Sequence, residues 1–385
     1  MYASQSGSVD SVREMIPFLT IENLHQALCW ASATGKSQVV DLLLAVPGVV
    51  ADPPGHPDTP LFLAASGLHS DVMRSLLRKG ADANKISQNT HHRQGYTIYD
   101  LMEKGKIGPT PLHAICGVTN QSFSRQHDDE NMRKCFQLLK YKCDMNPIDK
   151  EGNTPLHYSV KNKDQAGLSV LLLENGADPT IRDKLGHTAL HLLNLHEDCG
   201  PLIDLLLGKG ASMNDRSSDG QTPLHCMVNS IHELPLEPLL SRVADWNVAD
   251  KNGNTPLHIL LSQSYHPERG LQVLLSAGAD AHHRNKKGEV PIHVLKELNP
   301  GHGKSPLPLL LAAGADLEAK DHSGRTVLSR LTDTHSYNFQ KTVQYLVELG
   351  ANVNCRDYEG NSILHRICRK TPDVTAVCVF HSPAE

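Results

Sequence analysis

One tetrapeptide returns at nearly even intervals along this chain. It reads Thr110-Pro-Leu-His113, Thr154-Pro-Leu-His157, Thr222-Pro-Leu-His225 and Thr255-Pro-Leu-His258, with Thr188-Ala-Leu-His191 a near match. Degenerate copies stand at Asp58-Thr-Pro-Leu-Phe62, Val290-Pro-Ile-His293, Thr326-Val-Leu-Ser329 and Ser362-Ile-Leu-His365. From position 110 onward the steps between copies are 44, 34, 34, 33, 35, 36 and 36 residues. A chain with this period stacks similar units, each burying its apolar side against the next. Only 4% of the 385 residues are aromatic. A core of small aliphatics suits thin stacked units better than one thick sandwich.

Each copy carries the same parts in the same order. Glycine stands two residues before the tetrapeptide at Gly152, Gly186, Gly220, Gly253, Gly288, Gly324 and Gly360, where a turn with positive φ is expected. The threonine is the expected N-cap, its hydroxyl accepting the N3 amide, and proline takes N1, where its missing N–H costs nothing. A second helix follows with apolar residues at i, i+3 and i+4: Met73, Leu76, Leu77; Ile203, Leu206, Leu207; Leu271, Leu274, Leu275; Leu307, Leu310, Leu311; Val343, Leu346, Val347. That spacing makes one buried stripe. Glycine then ends the helix at Gly80, Gly176, Gly210, Gly278, Gly314 and Gly350, the expected left-handed terminator.

Turn, capped helix, loop, amphipathic helix and glycine stop together resemble the ankyrin-repeat family, most fully from Asp149 to Asp183. The resemblance implies an all-α solenoid of stacked helix-turn-helix units with projecting β-hairpin or turn fingers, and a concave face built from fingers and first helices. Repeats are expected at about 21–54, 55–86, 107–149, 150–183, 184–217, 218–250, 251–285, 286–321 and 322–357. Residues 1–20 read as a partial N-terminal repeat with a second helix near residues 7–16, and 358–385 as a partial C-terminal repeat and tail. Solenoid ends normally carry polar caps, so the chain is expected to come from a longer array.

Two segments depart from the period: an insertion at 87–106 containing His91-His92-Arg93, and another at 117–130 between the helices of one repeat. Both are expected to be surface loops. Val243 and Lys142 occupy terminator slots. A β-branched residue disfavours positive φ, so the helix ending near Leu240 is expected to stop by another geometry. Trp246 stands near a finger base where other repeats have smaller residues. It is either a partner anchor or a filler of the space left by the altered turn.

Seven of the 23 histidines hold the tetrapeptide's last slot: His113, His157, His191, His225, His258, His293 and His365. The resemblance assigns their imidazoles to hydrogen bonds within and between repeats. Spaced by a whole repeat, consecutive rings are too far apart to share a metal whose nitrogen bonds run about 2.0–2.1 Å. The local groups His191, His196, Cys199 and His282-His283 lack the i, i+4 placement of two ligands on one helical face. Gly303-Lys304-Ser305 ends like a phosphate loop, but Leu298 stands where the first glycine belongs and no strand precedes it. No nucleophile has a base and orienting group arranged for it. The expectation is therefore no catalytic residue, no metal, no cofactor and no small-molecule substrate.

The formal charge of −5 gives no reason to expect nucleic acid or an anionic membrane as partner. Nine cysteines with no CxxC pair, and no basic and apolar leader in residues 1–10, read as reduced thiols in a cytoplasmic or nuclear protein. The expected function is a non-catalytic scaffold or adaptor that binds a partner protein. The alternative is a substrate-receptor or regulatory fragment of a larger ankyrin-containing protein. Finger tips are freest to serve recognition, and the expected contacts are Lys150, Lys184, Leu185, Trp246, Lys251, Lys286, Lys287 and Tyr358. With Arg182, Arg216, Arg284, Lys320 and Arg356 nearby, the fingers present either a cationic row for an acidic segment or a solvated, charge-mixed edge.

Overall fold

A computed structural model describes residues 9–56, 58–87, 109–117, 125–162, 165–195, 199–229, 239–243, 245–263, 267–295, 305–331 and 339–370. Among these the structure is helical and contains no strand. It divides into two compact bodies, residues 1–194 with 201–212, and residues 195–200 with 213–385.

The first body contains α1 (Val9–Met15), α2 (Ile21–Ala33), α3 (Ser37–Leu44), α4 (Pro60–Ser66), α5 (Ser70–Arg78), α6 (Pro111–Gly117), α7 (Arg125–Leu139), α8 (Pro155–Ser159) and α9 (Ala166–Glu174). First helices pack side by side in chain order, α2 on α4, α4 on α6 and α6 on α8. Behind them α3 packs on α5 and α5 on α7, so the body has two helical layers. Isolated helices shorter than about 12 residues are marginal in water, and most of these are shorter. Packing of their apolar faces holds them.

α10 (Gly200–Gly208) is followed in the second body by α11 (Pro223–Asn229), α12 (Pro256–Gln263), α13 (Glu268–Ser276), a 3-10 turn (Pro291–Val294), α14 (Leu307–Ala312), α15 (Val327–Arg330), α16 (Phe339–Glu348) and α17 (Ile363–Lys370). Here too the first elements form a row: α11 on α12, α12 on the 3-10 turn, that turn on α15, and α15 on α17. The tetrapeptide's third residue supplies the centre of each layer. Leu112, Leu156, Leu190, Leu224, Leu257, Ile292 and Leu328 are all at most 2% exposed. Burying each such side chain contributes roughly 1.5–3 kcal/mol.

The second-helix stripe is buried at i and i+3 in every repeat where it was expected, from Met73 and Leu76 to Val343 and Leu346. The i+4 position is buried only at Leu77; Leu207, Leu275 and Leu311 are half-buried and Val347 is 42% exposed. Every glycine assigned to the two slots has positive φ, for instance +80° at Gly152 and +96° at Gly176. After Gly176 the chain closes with Ala177 N–H donating to Leu172 O. Val243 and Lys142 lie outside the left-handed region. Instead, Arg242 and Val243 both donate to Leu239 O, and Lys142 and Cys143 both donate to Leu139 O, a tighter stop that needs no glycine.

In two repeats the first helix shrinks to a 3-10 turn, Ala189–Leu192 and Pro291–Val294. For the former the reason is visible: Leu193 is extended, and Asn194 donates its backbone N–H to Val160 O and its amide to Lys161 O. α7 begins at Arg125, inside the segment read as an insertion at 117–130. The insertion at 88–106, His196, residues 300–304 and the tail 371–385 lie outside the described residues.

Candidate interaction surface

Each finger is a hairpin turn built by one acceptor side chain. Asp149 Oδ1 accepts from the backbone N–H of Glu151 (2.9 Å) and Asn153 (2.7 Å), and Asp149 N–H donates to Asn153 O. Asp183, Asp250, Asn285, Asp321 and Asp357 accept the same two amides in their own fingers. Burial alone would raise the Asp183, Asp321 and Asp357 carboxyls. Bonds from His187, Arg325 and Arg366 respectively outweigh it and hold all three below the usual range.

Successive tips are joined main chain to main chain. Lys184 N–H donates to Glu151 O (2.8 Å) in the first body. In the second body Lys251 donates to Asp219 O, Lys286 to Asn252 O, His322 to Lys287 O and Tyr358 to Ser323 O, at 2.9–3.1 Å. The tip glycine permits this approach: a Cβ on Gly324 would lie 2.7 Å from Tyr358 N.

The finger edge carries a second recurring bond. Arg182, Arg216, Arg284 and Arg356 each donate from Nη1 to the carbonyl of the glycine four residues on. At the finger base, asparagine links neighbours. Asn146 donates to Gly176 O and accepts from Asp178 N–H; Asn247 does the same with Gly278 and Asp280. Neither the arginine bond nor the asparagine bridge was anticipated from the sequence, although Gly-Ala-Asp-Ala-Asn at 80–84 and Gly-Ala-Asn-Val-Asn at 350–354 recur visibly.

The tetrapeptide histidines are structural links. His258 Nδ1 lies 3.2 Å from Thr255 N and 2.9 Å from its hydroxyl, while Nε2 lies 3.0 Å from Glu289 O in the next repeat. A carbonyl only accepts, so Nε2 carries the proton and Nδ1 accepts from both threonine donors. His113, His157, His225 and His293 bond the next repeat's carbonyl in the same way. Where N3 is not histidine, the threonine hydroxyl accepts the N3 amide as expected, at Thr59 and Thr326. Burial pushes His113 and His258 down to about 4 and lowers His157, His225 and His293, so these rings are neutral at pH 7.

Among the residues expected at the surface, Lys184, Leu185, Lys251, Lys286, Lys287 and Tyr358 are exposed, Leu185 at 61% and Tyr358 at 73%. Two depart from expectation. Lys150 is 9% exposed with its ammonium nitrogen shut off from solvent, so it cannot lead a surface contact. Trp246 is 6% exposed and fills the finger-base slot held by Ala83, Met145, Met213, Ala281 and Leu317, all at most 9% exposed. It is a packing residue. Among the described residues no group of three or more His, Cys, Asp or Glu is placed to hold a metal ion, and Ser305 accepts the Leu307 amide at the start of α14. No helix described is long and apolar enough to cross a membrane.

Two family models match the sequence: "Ankyrin repeats (3 copies)" over 1–87 and 190–285, and "Ankyrin repeats (many copies)" over 138–193. Palmitoyltransferase AKR1 of Lachancea kluyveri is 27% identical over 198 residues, 46% of this chain and 26% of that protein, so the chain matches about a quarter of its relative's length. The crystal structure of the ankyrin repeat domain of Bcl-3 aligns with a TM-score of 0.41 and 26% identity, covering 62% of this chain and 99% of that one.

Proposed function

Because the chain belongs to the ankyrin-repeat family, we propose that it is a non-catalytic scaffold or adaptor that binds a partner protein on its finger and first-helix surface. The observation that carries this reading is the division of labour within each finger. Turn aspartates are committed to shaping each finger, and tip amides, base asparagines and tetrapeptide histidines to holding repeats together, while tip side chains such as Lys184, Leu185, Lys286 and Tyr358 project into solvent. Fixed backbone with free side chains is the arrangement that serves recognition. The exposed lysines favour an acidic segment of that partner. The thiols of Cys116, Cys135, Cys143 and Cys226, in no disulfide among the described residues, favour a cytoplasmic or nuclear setting.

Capture from lysate followed by mass spectrometry tests the reading. The wild-type chain should retain a reproducible protein set. Lys184→Glu, Lys251→Glu, Lys286→Glu and Lys287→Glu combined should lose members of it while keeping the wild-type melting temperature. Failure of the wild-type chain to retain any protein would remove the reading.

A second reading has one observation behind it, the partial match to a protein named a palmitoyltransferase. On it, the chain is the substrate-receptor or regulatory portion of a larger ankyrin-containing protein. Transcripts extending past either end and encoding a catalytic domain would favour it.

A further inference from the structure

The position just before each finger's turn acceptor changes character between the two bodies. It holds Ile148 and Arg182 in the first, and Arg216, Ala249, Arg284, Lys320 and Arg356 in the second. In the second body Arg216 and Arg284 reach along the stack as well as back to their own fingers, and Lys320 reaches along it. Arg216 donates to Ala249 O (2.8 Å), Arg284 to Lys320 O (2.6 Å), and Lys320 Nζ to Arg356 O (3.1 Å), each carbonyl belonging to the same position of the next finger.

An arginine pinned by one terminal nitrogen has surrendered much of its rotamer freedom before any partner arrives, and its planar group keeps donors on Nε and Nη2. Arg284 and Arg356 are exposed, use Nη1 alone in their bonds, and have no carboxylate partner among the described residues. The anionic side chains of the same fingers are out of reach. Asp250, Asp321, Asp357 and Glu289 are at most 8% exposed, the aspartates bonded to turn amides and Glu289 to Asn285 and Arg330. At the tips exposed Asp219 and Glu359 remain, against exposed Lys251, Lys286 and Lys287; at the finger bases Asp245, Asp280 and Asp316 are also exposed.

We infer that Arg284, Lys320 and Arg356 form a pre-aligned cationic row that reads the carboxylates of an extended acidic polypeptide segment lying across consecutive fingers of the second body. The inference rests on the protein-binding reading above and adds the edge row to the tip lysines as a second, pre-aligned set of contacts. Adjacent packed helices sit roughly 8–10 Å apart, so the row offers one cation per repeat at about that interval. A polyproline-type segment rises about 3.1 Å per residue with three residues per turn. Carboxylates at every third residue therefore meet successive cations from one face.

The test is fluorescence anisotropy of the full chain with a labelled synthetic peptide carrying glutamate at every third residue among prolines. Controls are a peptide of equal composition with irregular glutamate spacing and an oligonucleotide of equal charge. The regular peptide should bind best, with affinity falling as salt rises. Arg284→Glu, Lys320→Glu and Arg356→Glu combined should weaken it by at least about tenfold. Arg356→Lys, which keeps the charge but loses the fork, should weaken it by a smaller factor at unchanged melting temperature, and it serves alone if the triple variant fails to fold. Equal binding of the two peptides, preference for the oligonucleotide, or wild-type affinity in Arg356→Lys and the triple variant would overturn the inference. If lysate capture is the same for wild type and triple variant, the protein-binding reading stands and the edge row falls.

Discussion

The Nε2 of His258 and the backbone oxygen of Glu289 lie 3.0 Å apart across a repeat junction, with the proton on the imidazole. The same bond recurs at His113, His157, His225 and His293, each joining a helix start to the finger that follows. A second proton on any of these rings would fall on Nδ1, where a threonine amide and hydroxyl already point, or the Val290 amide at His293.

Acid should therefore loosen the stack in a defined window. Burial lowers these histidines in the folded chain, to about 4 at His113 and His258, whereas unfolded histidine titrates near 6.5. Between those values the unfolded chain binds more protons, so stability is complete above about pH 6.5 and falls as pH drops toward 4. The slope approaches about 1.4 kcal/mol per pH unit for each histidine fully inside its window. Asp183, Asp321 and Asp357, lowered in the folded state, add their own loss only at more acidic pH. Urea midpoints from pH 7.5 to 4.5 should trace this decline, with a shallower slope in His258→Gln.

Two glycine variants separate backbone strain from contact. Gly360→Ala, at φ +81° with nothing within 4 Å of the new carbon, should cost about 1–2 kcal/mol from the left-handed backbone alone. Gly324→Ala adds a collision with Tyr358 N at 2.7 Å and should cost at least about 1 kcal/mol more. Equal denaturation midpoints for the two would mean that neighbouring tips do not touch.

Trp246→Ala should destabilise by roughly 3–5 kcal/mol, as removal of a buried aromatic does. Tyr358→Ala, at an exposed tip, should stay within about 0.5 kcal/mol. Calorimetry on both variants checks the contrast, and a mild effect at Trp246 would restore its candidacy as an anchor.

Asn247→Ala removes a bridge that both donates to Gly278 O and accepts from Asp280 N–H, and should cost about 1–2 kcal/mol. Asn247→Asp keeps the acceptor and should lose about half of that. Faster amide exchange at Asp280 in both variants would locate the damage.

The repeat, its glycines, its caps and its buried stripe were legible because each follows from local chemistry: proline at N1, glycine at positive φ, leucine every third or fourth residue. The stops at Val243 and Lys142 were legible only in the negative, since the sequence excludes the left-handed region without naming what replaces it. Trp246 was ambiguous because its slot holds alanine in two repeats and methionine in two others, and only burial assigns an aromatic there to the interior. Lys150 was misread because exposure at a tip depends on neighbouring fingers. The short turn at Ala189–Leu192 was hidden for the same reason: Asn194 answers to carbonyls of the previous repeat. The arginine clamp joins residues only four apart, yet nothing in residue type distinguishes a pinned guanidinium from a solvated one.

The tip-to-tip bonds, from Lys184 with Glu151 to Tyr358 with Ser323, use no side-chain atom. Substitution at these sites thus leaves the rungs in place, and the finger crest can acquire new vocabulary one letter at a time. Tolerance to mutation should run highest along that ridge and drop abruptly one residue inward, at the turn acceptors.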